Sequence, residues 1–226
     1  MFFSKKKNKL KEKIYLIKGN NDLIKELKEK GINNKNILDS IKNVPREFFV
    51  NKMSIQWAYQ NAPLPVDCNQ TISQPYVTAY MISCLKIKKT DTVLEVGTGT
   101  GYQTAIISHL CKKIYTIEIF EKLYKQAKLN LKMLKIKNVD YELGDGSNGF
   151  SKNLLFDSII VSAAAEKVPY KLLNSLNKDG NLIIPIKYPY DNQKLVLFKK
   201  ISENNFDQKE LFDVKFVPLL HHKTKH

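Results

Sequence analysis

From about residue 91 onward, short apolar runs alternate with stretches whose hydrophobic positions recur at helical spacing. The runs are Thr92–Val96, Ile114–Glu118, Val139–Leu143, Phe156–Ser162 and Asn181–Ile186. Helical patterns over 101–111, 120–135 and 168–176 fill most of the gaps. Strands and helices that alternate in this way form βαβ units, because a parallel strand is reached only through a crossover. The pattern therefore predicts an α/β fold built on a doubly wound, mostly parallel sheet. Two more strand-like stretches, 194–201 and 211–217, have no helical pattern between them and are expected as added antiparallel strands at one side.

Upstream the pattern is different. Residues 1–18 are basic and weakly patterned, as in a frayed or helical arm. Asn21 is a candidate N-cap for a helix carrying Leu23, Ile24 and Leu27, with Gly31 as its stop. A second short helix carries Ile37, Leu38 and Ile41 and ends by Pro45. Residues 46–72 are expected to be irregular, with Pro63 and Pro65 framing a loop. Pro75 then opens a helix through Val77, Met81, Ile82 and Leu85. With no internal repeat and no Pro/Gly/Ser linker, 1–226 is expected to be one domain. Residues 1–72 would form its N-terminal helical and loop part, and 73–226 its α/β core.

Composition narrows the function classes. A hydrophobic fraction of 43% and a charged fraction of 26% suit a soluble globular protein. No apolar run approaches the roughly 20 residues that cross a bilayer, and Met1-Phe2-Phe3 before a lysine cluster is not a signal peptide. A cytoplasmic protein without a membrane partner is the expectation. Cys68, Cys84 and Cys111 are odd in number and form no CxxC pair, which speaks against a disulfide framework. His221, His222 and His226 read as a tail rather than a metal site, so no metal is expected. The net charge of +15 suggests either a nucleic-acid binder or a lysine-biased surface. Only one arginine, Arg46, is present, and phosphate and base readers rely on the planar guanidinium fork. The lysine-biased surface is the better reading, with the charge free to steer an acidic substrate inward.

Candidate chemistry lies at the strand ends, where sheets of this kind bind ligands. The first run continues Leu94-Glu95-Val96-Gly97-Thr98-Gly99-Thr100-Gly101-Tyr102. Gly97, Gly99 and Gly101 let the backbone turn tightly and approach a ligand closely. Glu118 ends the second run, where a carboxylate can accept both hydroxyls of a ribose. Asp145, in Gly144-Asp145-Gly146, follows the third and can reach an adenine edge. A dinucleotide site prefers G-x-G-x-x-G; here the third glycine comes one residue early and Tyr102 stands where Gly or Ala is wanted. Glu95 adds negative charge that would repel a pyrophosphate and welcome a sulfonium and an amino group. S-adenosylmethionine fits better than a nicotinamide dinucleotide. A ligand-free strand-to-helix turn would explain one glycine, but not three acidic residues at strand ends.

Several segments together resemble the protein-L-isoaspartate O-methyltransferase family. They are Val44-Pro45-Arg46-Glu47-Phe48-Phe49-Val50, Gln70-Thr71-Ile72-Ser73-Gln74-Pro75-Tyr76, Leu94 through Tyr102, Gly144-Asp145-Gly146, Phe156-Asp157-Ser158-Ile159-Ile160-Val161 and Phe216-Val217-Pro218-Leu219, in family order. The glycine loop is common to many methyltransferases, whereas the Thr-Ile-Ser-Gln-Pro segment ahead of it is highly specific. The resemblance implies a Rossmann-like methyltransferase fold. It also implies methyl transfer from S-adenosylmethionine to the free α-carboxylate of L-isoaspartyl residues in damaged proteins, with repair through a succinimide. It places Ser73 at the reaction centre as the catalytic residue. Cofactor contacts carry over to Glu95, Gly97, Thr98, Gly99, Gly101, Glu118, Asp145 and Gly146, and substrate contacts to Thr71, Ile72 and Gln193. The partners implied are isoaspartyl peptides and proteins, with no nucleic acid, and a monomer.

The chemistry agrees with these assignments. A carboxylate is already an anion at neutral pH and needs no strong base, only alignment and exclusion of water. Read by itself, Ser73 is better taken as a helix N-cap two residues before Pro75, and only the resemblance reverses that preference. Arg46 invites a substrate-carboxylate role, although packing of the Pro45–Phe49 segment is the better reading. The chain departs from the family at Asp67 and Asn69, where two glycines are usual, at Ser147 for Trp, and at Lys187 for Gly; these put substrate affinity and range in question. An RNA methyltransferase is the alternative suggested by charge, yet Ser162-Ala163-Ala164-Ala165 stands where base methylases carry an Asn/Asp-Pro-Pro-Tyr-like segment. A non-catalytic binding module on the same fold is a further alternative.

Overall fold

The computed structural model describes residues 2–221, with side chains of the first helix from Ile14 onward. That helix, α1 (Phe2–Glu29), is continuous. The basic arm and the helix expected after Asn21 are one element, so Asn21 lies inside it and caps nothing. Leu23 and Leu27, four apart on one face, are buried against the rest of the protein. In α2 (Lys35–Asn43) the Asn34 side chain accepts from the N–H groups of Asn36 and Ile37 at 3.0 and 3.3 Å. This cap satisfies donors that the first turn leaves without partners.

The stretch expected to be irregular has local order. Arg46–Phe48 and Lys52–Trp57 form 3-10 turns. A short antiparallel pair follows, β1 (Leu64–Pro65) with β2 (Thr71–Ile72), in register Leu64 to Ile72. Helix α3 (Pro75–Leu85) starts at its proline and buries Met81, Ile82 and Leu85, as the spacing predicts.

The main sheet comprises β3 (Thr92–Val96), β4 (Lys113–Glu118), β5 (Val139–Leu143), β6 (Phe156–Val161), β7 (Leu176–Lys187), β8 (Gln193–Ser202) and β9 (Asn205–Asp213). Its spatial order is β5-β4-β3-β6-β7-β8-β9. Pairing is parallel from β5 through β7 and antiparallel for β7–β8 and β8–β9. Helices α4 (Tyr102–Ser108), α5 (Glu121–Met133) and α6 (Tyr170–Asn174) supply the crossovers. The last strand begins at Asn205, ahead of the expected 211–217. Its first half is polar and exposed, as suits an edge strand, and so gives no apolar signal.

Alternation along the strands sorts the core into two layers. Val93, Ile114, Ile160 and Ile183 face one side, and Leu94, Val96, Ile117, Ile159 and Val161 the other. Each fully buried Leu or Ile contributes about 1.5–3 kcal/mol. The chain leaves β3 outward through β4 and β5, then returns to the opposite flank of β3 as β6. Strand order therefore reverses at β3. The crevice past its carboxyl end is where a doubly wound sheet receives a ligand.

Candidate active site

The loop after β3 has three left-handed glycines, Gly97, Gly99 and Gly101, with φ of 91°, 57° and 95°. A side chain is strained at such angles. At Gly101 an added Cβ would also press on Leu131 Cδ1 at 3.2 Å. This turn lets the loop fold back over the end of β4. There Glu118 Oε2 accepts from the Gly99 N–H at 2.8 Å and Oε1 from the Phe120 N–H at 2.9 Å. Glu118 is only 4% exposed, and burial raises the pKa of its carboxyl. Each of its oxygens has a second lone pair to offer.

Around these residues opens a cleft of about 830 Å³. Gly97–Thr100, Glu118, Phe120, Leu123, Gly144, Gly146, Ser162 and Ala163 line it, and Val217–Leu220 close it from the C-terminal side. Gln70, Thr71, Ile72 and Ser73 complete the wall. A second groove, of about 990 Å³, lies between α3 and the Phe212–Phe216 segment that ends and follows β9. Thr71 and Ser73 border both spaces. Among the described residues the Ser73 hydroxyl has no hydrogen-bond partner, while its carbonyl accepts from Arg46 Nη2 at 2.9 Å. Helix α3 is capped at Gln74 without a side-chain bond, so Ser73 is not spent as an N-cap.

A sequence profile of the protein-L-isoaspartate(D-aspartate) O-methyltransferases matches residues 18–224. The chain belongs to this family. A protein-L-isoaspartate O-methyltransferase of Parvibaculum lavamentivorans is 42% identical over 201 residues, covering 88% of this chain and 90% of that protein. Among solved structures, one named protein-L-isoaspartate O-methyltransferase superposes with a TM-score of 0.80 at 27% identity. That match covers 88% of this chain and 65% of the solved one. A Plasmodium falciparum protein described as such a methyltransferase, in complex with S-adenosyl-L-homocysteine, gives a TM-score of 0.78 at 26% identity, covering 88% and 97%. S-adenosylmethionine is the family's methyl donor.

The residues present suit such a nucleoside. Glu118 is a buried acceptor facing the cleft, and glycines at 97, 99, 144 and 146 keep backbone against open space. Thr98 lines the cleft and shares a 2.6 Å hydrogen bond with Thr116. Gln103, which carries no signal in the sequence, also lines it and donates through Nε2 to Glu95 at 3.0 Å and Ser162 at 2.8 Å.

Four expected contacts are placed differently. Gly101 does not line the cleft; it packs against α5, where an added Cβ would meet Leu131 and Ala127. Glu95 was expected to meet the sulfonium and amino group, but it does not line the cleft. It is fully buried, accepting from Thr104 at 2.5 Å, Thr116 at 2.7 Å and Gln103. The cause is strand alternation: Val96 points into one layer, so Glu95 faces the other, beneath α4. Burial pushes the Glu95 pKa up to about 7 against the opposing pull of these three donors. Asp145 lies between two cleft-lining glycines but is itself turned to Ser147, accepting from its N–H at 2.9 Å and hydroxyl at 2.7 Å. Gln193 borders neither space. Its amide clasps the Phe216 backbone in both directions, at 2.7 and 3.1 Å, and so holds the segment that walls both.

The departures from the family also have structural partners. Asp67 pairs with Lys122 of α5 at 3.1 Å, which offsets its charge near the site. Cys68 and Asn69 take the left-handed angles, φ 59° and 54°. The Ser147 hydroxyl donates to Asp145, the N-cap of the 146–148 turn, and Lys187 pairs with Asp191 at 2.9 Å. His221 Nδ1 lies 2.9 Å from the Ser147 hydroxyl, whereas His222 and His226 lie outside the described residues. Among the described residues no group of three metal-ligating side chains converges, and no helix is long and apolar enough to cross a membrane.

Proposed function

We propose that this chain transfers a methyl group from S-adenosylmethionine to the free α-carboxylate of L-isoaspartyl residues in damaged proteins. One observation carries the reading: an unengaged hydroxyl, that of Ser73, stands on the wall shared by the nucleoside cleft and the neighbouring groove. The donor supplies an electrophilic methyl on a positive sulfur. Glu118 accepts the ribose hydroxyls, and the backbone at Gly97–Thr100, Gly144 and Gly146 lies along the nucleoside. The groove beside α3 takes the peptide. There the Ser73 hydroxyl donates to one oxygen of the substrate carboxylate and holds the other in line with the methyl, while Thr71 and Ile72 shape the rim.

No general base is needed, since a carboxylate with a pKa of about 3.5 is an anion at neutral pH. The apolar Val217–Leu220 segment shields the reacting atoms from water. In the resulting ester, the following backbone nitrogen displaces methanol to give the succinimide, and hydrolysis returns part of it to normal aspartate. Base methylation is less well served: after β6 the chain runs Ser162-Ala163-Ala164-Ala165, whose buried alanines offer no ring to stack on a base. Incubation with methyl-labelled S-adenosylmethionine should label an isoaspartyl peptide as a base-labile ester and leave the matched aspartyl peptide almost bare. Equal labelling of the two peptides contradicts the proposal.

A further inference from the structure

Arg46 is the only arginine in the chain and is fully buried. It neither reaches out as a substrate-binding cation nor serves as mere packing. Among the described residues it forms no ion pair; its guanidinium is directed at backbone carbonyls instead. Nη1 donates to Ala58 at 2.7 Å and to Gln60 at 3.4 Å. Nη2 donates to Ala62 at 3.3 Å and to Ser73 at 2.9 Å. Its Cζ lies 5.5 Å from the ring centre of Tyr102, the residue that opens α4 directly after the glycine loop.

One planar group thus ties together the 58–62 segment, the turn that presents Ser73, and the start of the helix under the cofactor loop. The 58–62 segment is linked to that turn a second time: the Asn61 carbonyl accepts from Gln74 Nε2 at 2.8 Å, and its Oδ1 accepts from the Tyr76 N–H at 2.9 Å. Burying a cation without a carboxylate partner is costly unless its donors are satisfied; both terminal nitrogens are, while Nε is buried without a hydrogen-bond partner. Four carbonyls spread over a fork match guanidinium geometry, and an ammonium group, with three donors at one point, cannot reach them all. The carbonyl being gripped belongs to Ser73, the residue that lines both spaces.

We infer that Arg46 is a positioning residue for methyl transfer, fixing Ser73 between the cofactor cleft and the peptide groove without touching either ligand. This rests on the function proposed above. Without the fork the 58–62 segment and the Ser73 turn lose their common anchor. The hydroxyl then samples orientations off the line of transfer, while the glycine loop and Glu118 stay in place.

The test compares wild type, Arg46→Lys, Ser73→Ala and the double variant. It measures kcat and KM for an isoaspartyl peptide, and S-adenosylhomocysteine affinity by calorimetry. Arg46→Lys should lower kcat about tenfold or more, as small misplacements of a reacting group do, with S-adenosylhomocysteine affinity nearly unchanged. The double variant should be no slower than Ser73→Ala alone, because both changes act through one hydroxyl. Equal losses in kcat and in S-adenosylhomocysteine affinity, or full multiplicative losses in the double variant, overturn the inference. Should Arg46→Lys fail to fold, NMR of the Arg46 guanidinium in the wild type decides: slowly exchanging Nη protons support the grip on the carbonyls, and Nη protons that exchange as fast as those of free arginine refute it. A wild type that binds S-adenosylhomocysteine yet never labels the peptide contradicts the function itself. An active wild type with an unselective Arg46→Lys contradicts only the role of Arg46.

Discussion

Gly146 is where the structure leaves least room, and Gly146→Ala gives a test with a calculable size. A Cβ built at this position would lie 2.4 Å from Val96 Cγ1, 3.2 Å from its Cγ2 and 3.3 Å from its Cβ. Carbon atoms in contact prefer about 3.5–4.0 Å, so the closest approach is short by more than 1 Å. Val96 cannot yield easily. It is β-branched, 3% exposed, and held in the layer that contains Leu94, Ile117 and Val161. The backbone around 144–148 must move instead, at a cost of about 1–3 kcal/mol. Because Gly144, Gly146 and Val96 all line the cleft, the same movement should weaken S-adenosylhomocysteine binding by about tenfold, or roughly 1.4 kcal/mol. Val96→Ala alone should cost about 1.5–3 kcal/mol through lost methyl groups and the space left behind. In the double variant the new methyl fills part of that space, so the pair should be more stable than the sum of the singles by about 1–2 kcal/mol. Urea unfolding at constant m value and calorimetric titration measure both effects. A Gly146→Ala protein with wild-type stability and affinity, or strict additivity in the cycle, would mean that Val96 and residue 146 do not compete for this space.

Two further outcomes follow from the buried carboxylates. The folded protein keeps the Glu95 proton up to about pH 7, whereas an unperturbed glutamate releases it near 4.5. The native state therefore binds more protons across that window, and this group's contribution to stability is lost as pH rises through it. Glu95→Gln, which mimics the protonated form, should gain on wild type by up to about 3 kcal/mol between pH 4.5 and pH 8 in urea titrations; parallel curves would rule the cause out. Glu118→Gln removes a charged acceptor from the cleft and should weaken S-adenosylhomocysteine by about 1.5–3 kcal/mol, the usual value of a hydrogen bond to a charged group. Unchanged calorimetric affinity would mean that Glu118 does not hold the ribose.

Much of the fold was legible because its signals are local. The apolar runs at Thr92–Val96 and Val139–Leu143 coincide with β3 and β5, and Pro75 opens α3. The lining of the cleft was legible at the backbone turn Gly97–Thr100 and at a strand terminus, Glu118, which the structure brings to one space. It was misread at Glu95, because proximity to the loop in sequence says nothing about which face of the sheet a side chain takes. Gln193 shows the same limit: its neighbour Phe216 is distant along the chain, and only the antiparallel arrangement of β8 and β9 brings them together. The long α1 was hidden by Gly19-Asn20-Asn21, which reads as a break, and the 3-10 turns around Arg46 by an apolar pattern without a clear period. Arg46 could be noticed as the lone arginine, but its four acceptors are backbone carbonyls that no side-chain pattern reveals.

The most direct measurement is a crystal structure of this protein with S-adenosylhomocysteine and an isoaspartyl peptide. The ribose hydroxyls should lie on Glu118, the sulfur should point toward Ser73, and the peptide carboxylate should be hydrogen-bonded to that hydroxyl with an oxygen about 3–3.5 Å from where the methyl carbon would be. A sulfur turned away from Ser73, or a peptide seated outside the groove beside α3, would contradict this arrangement.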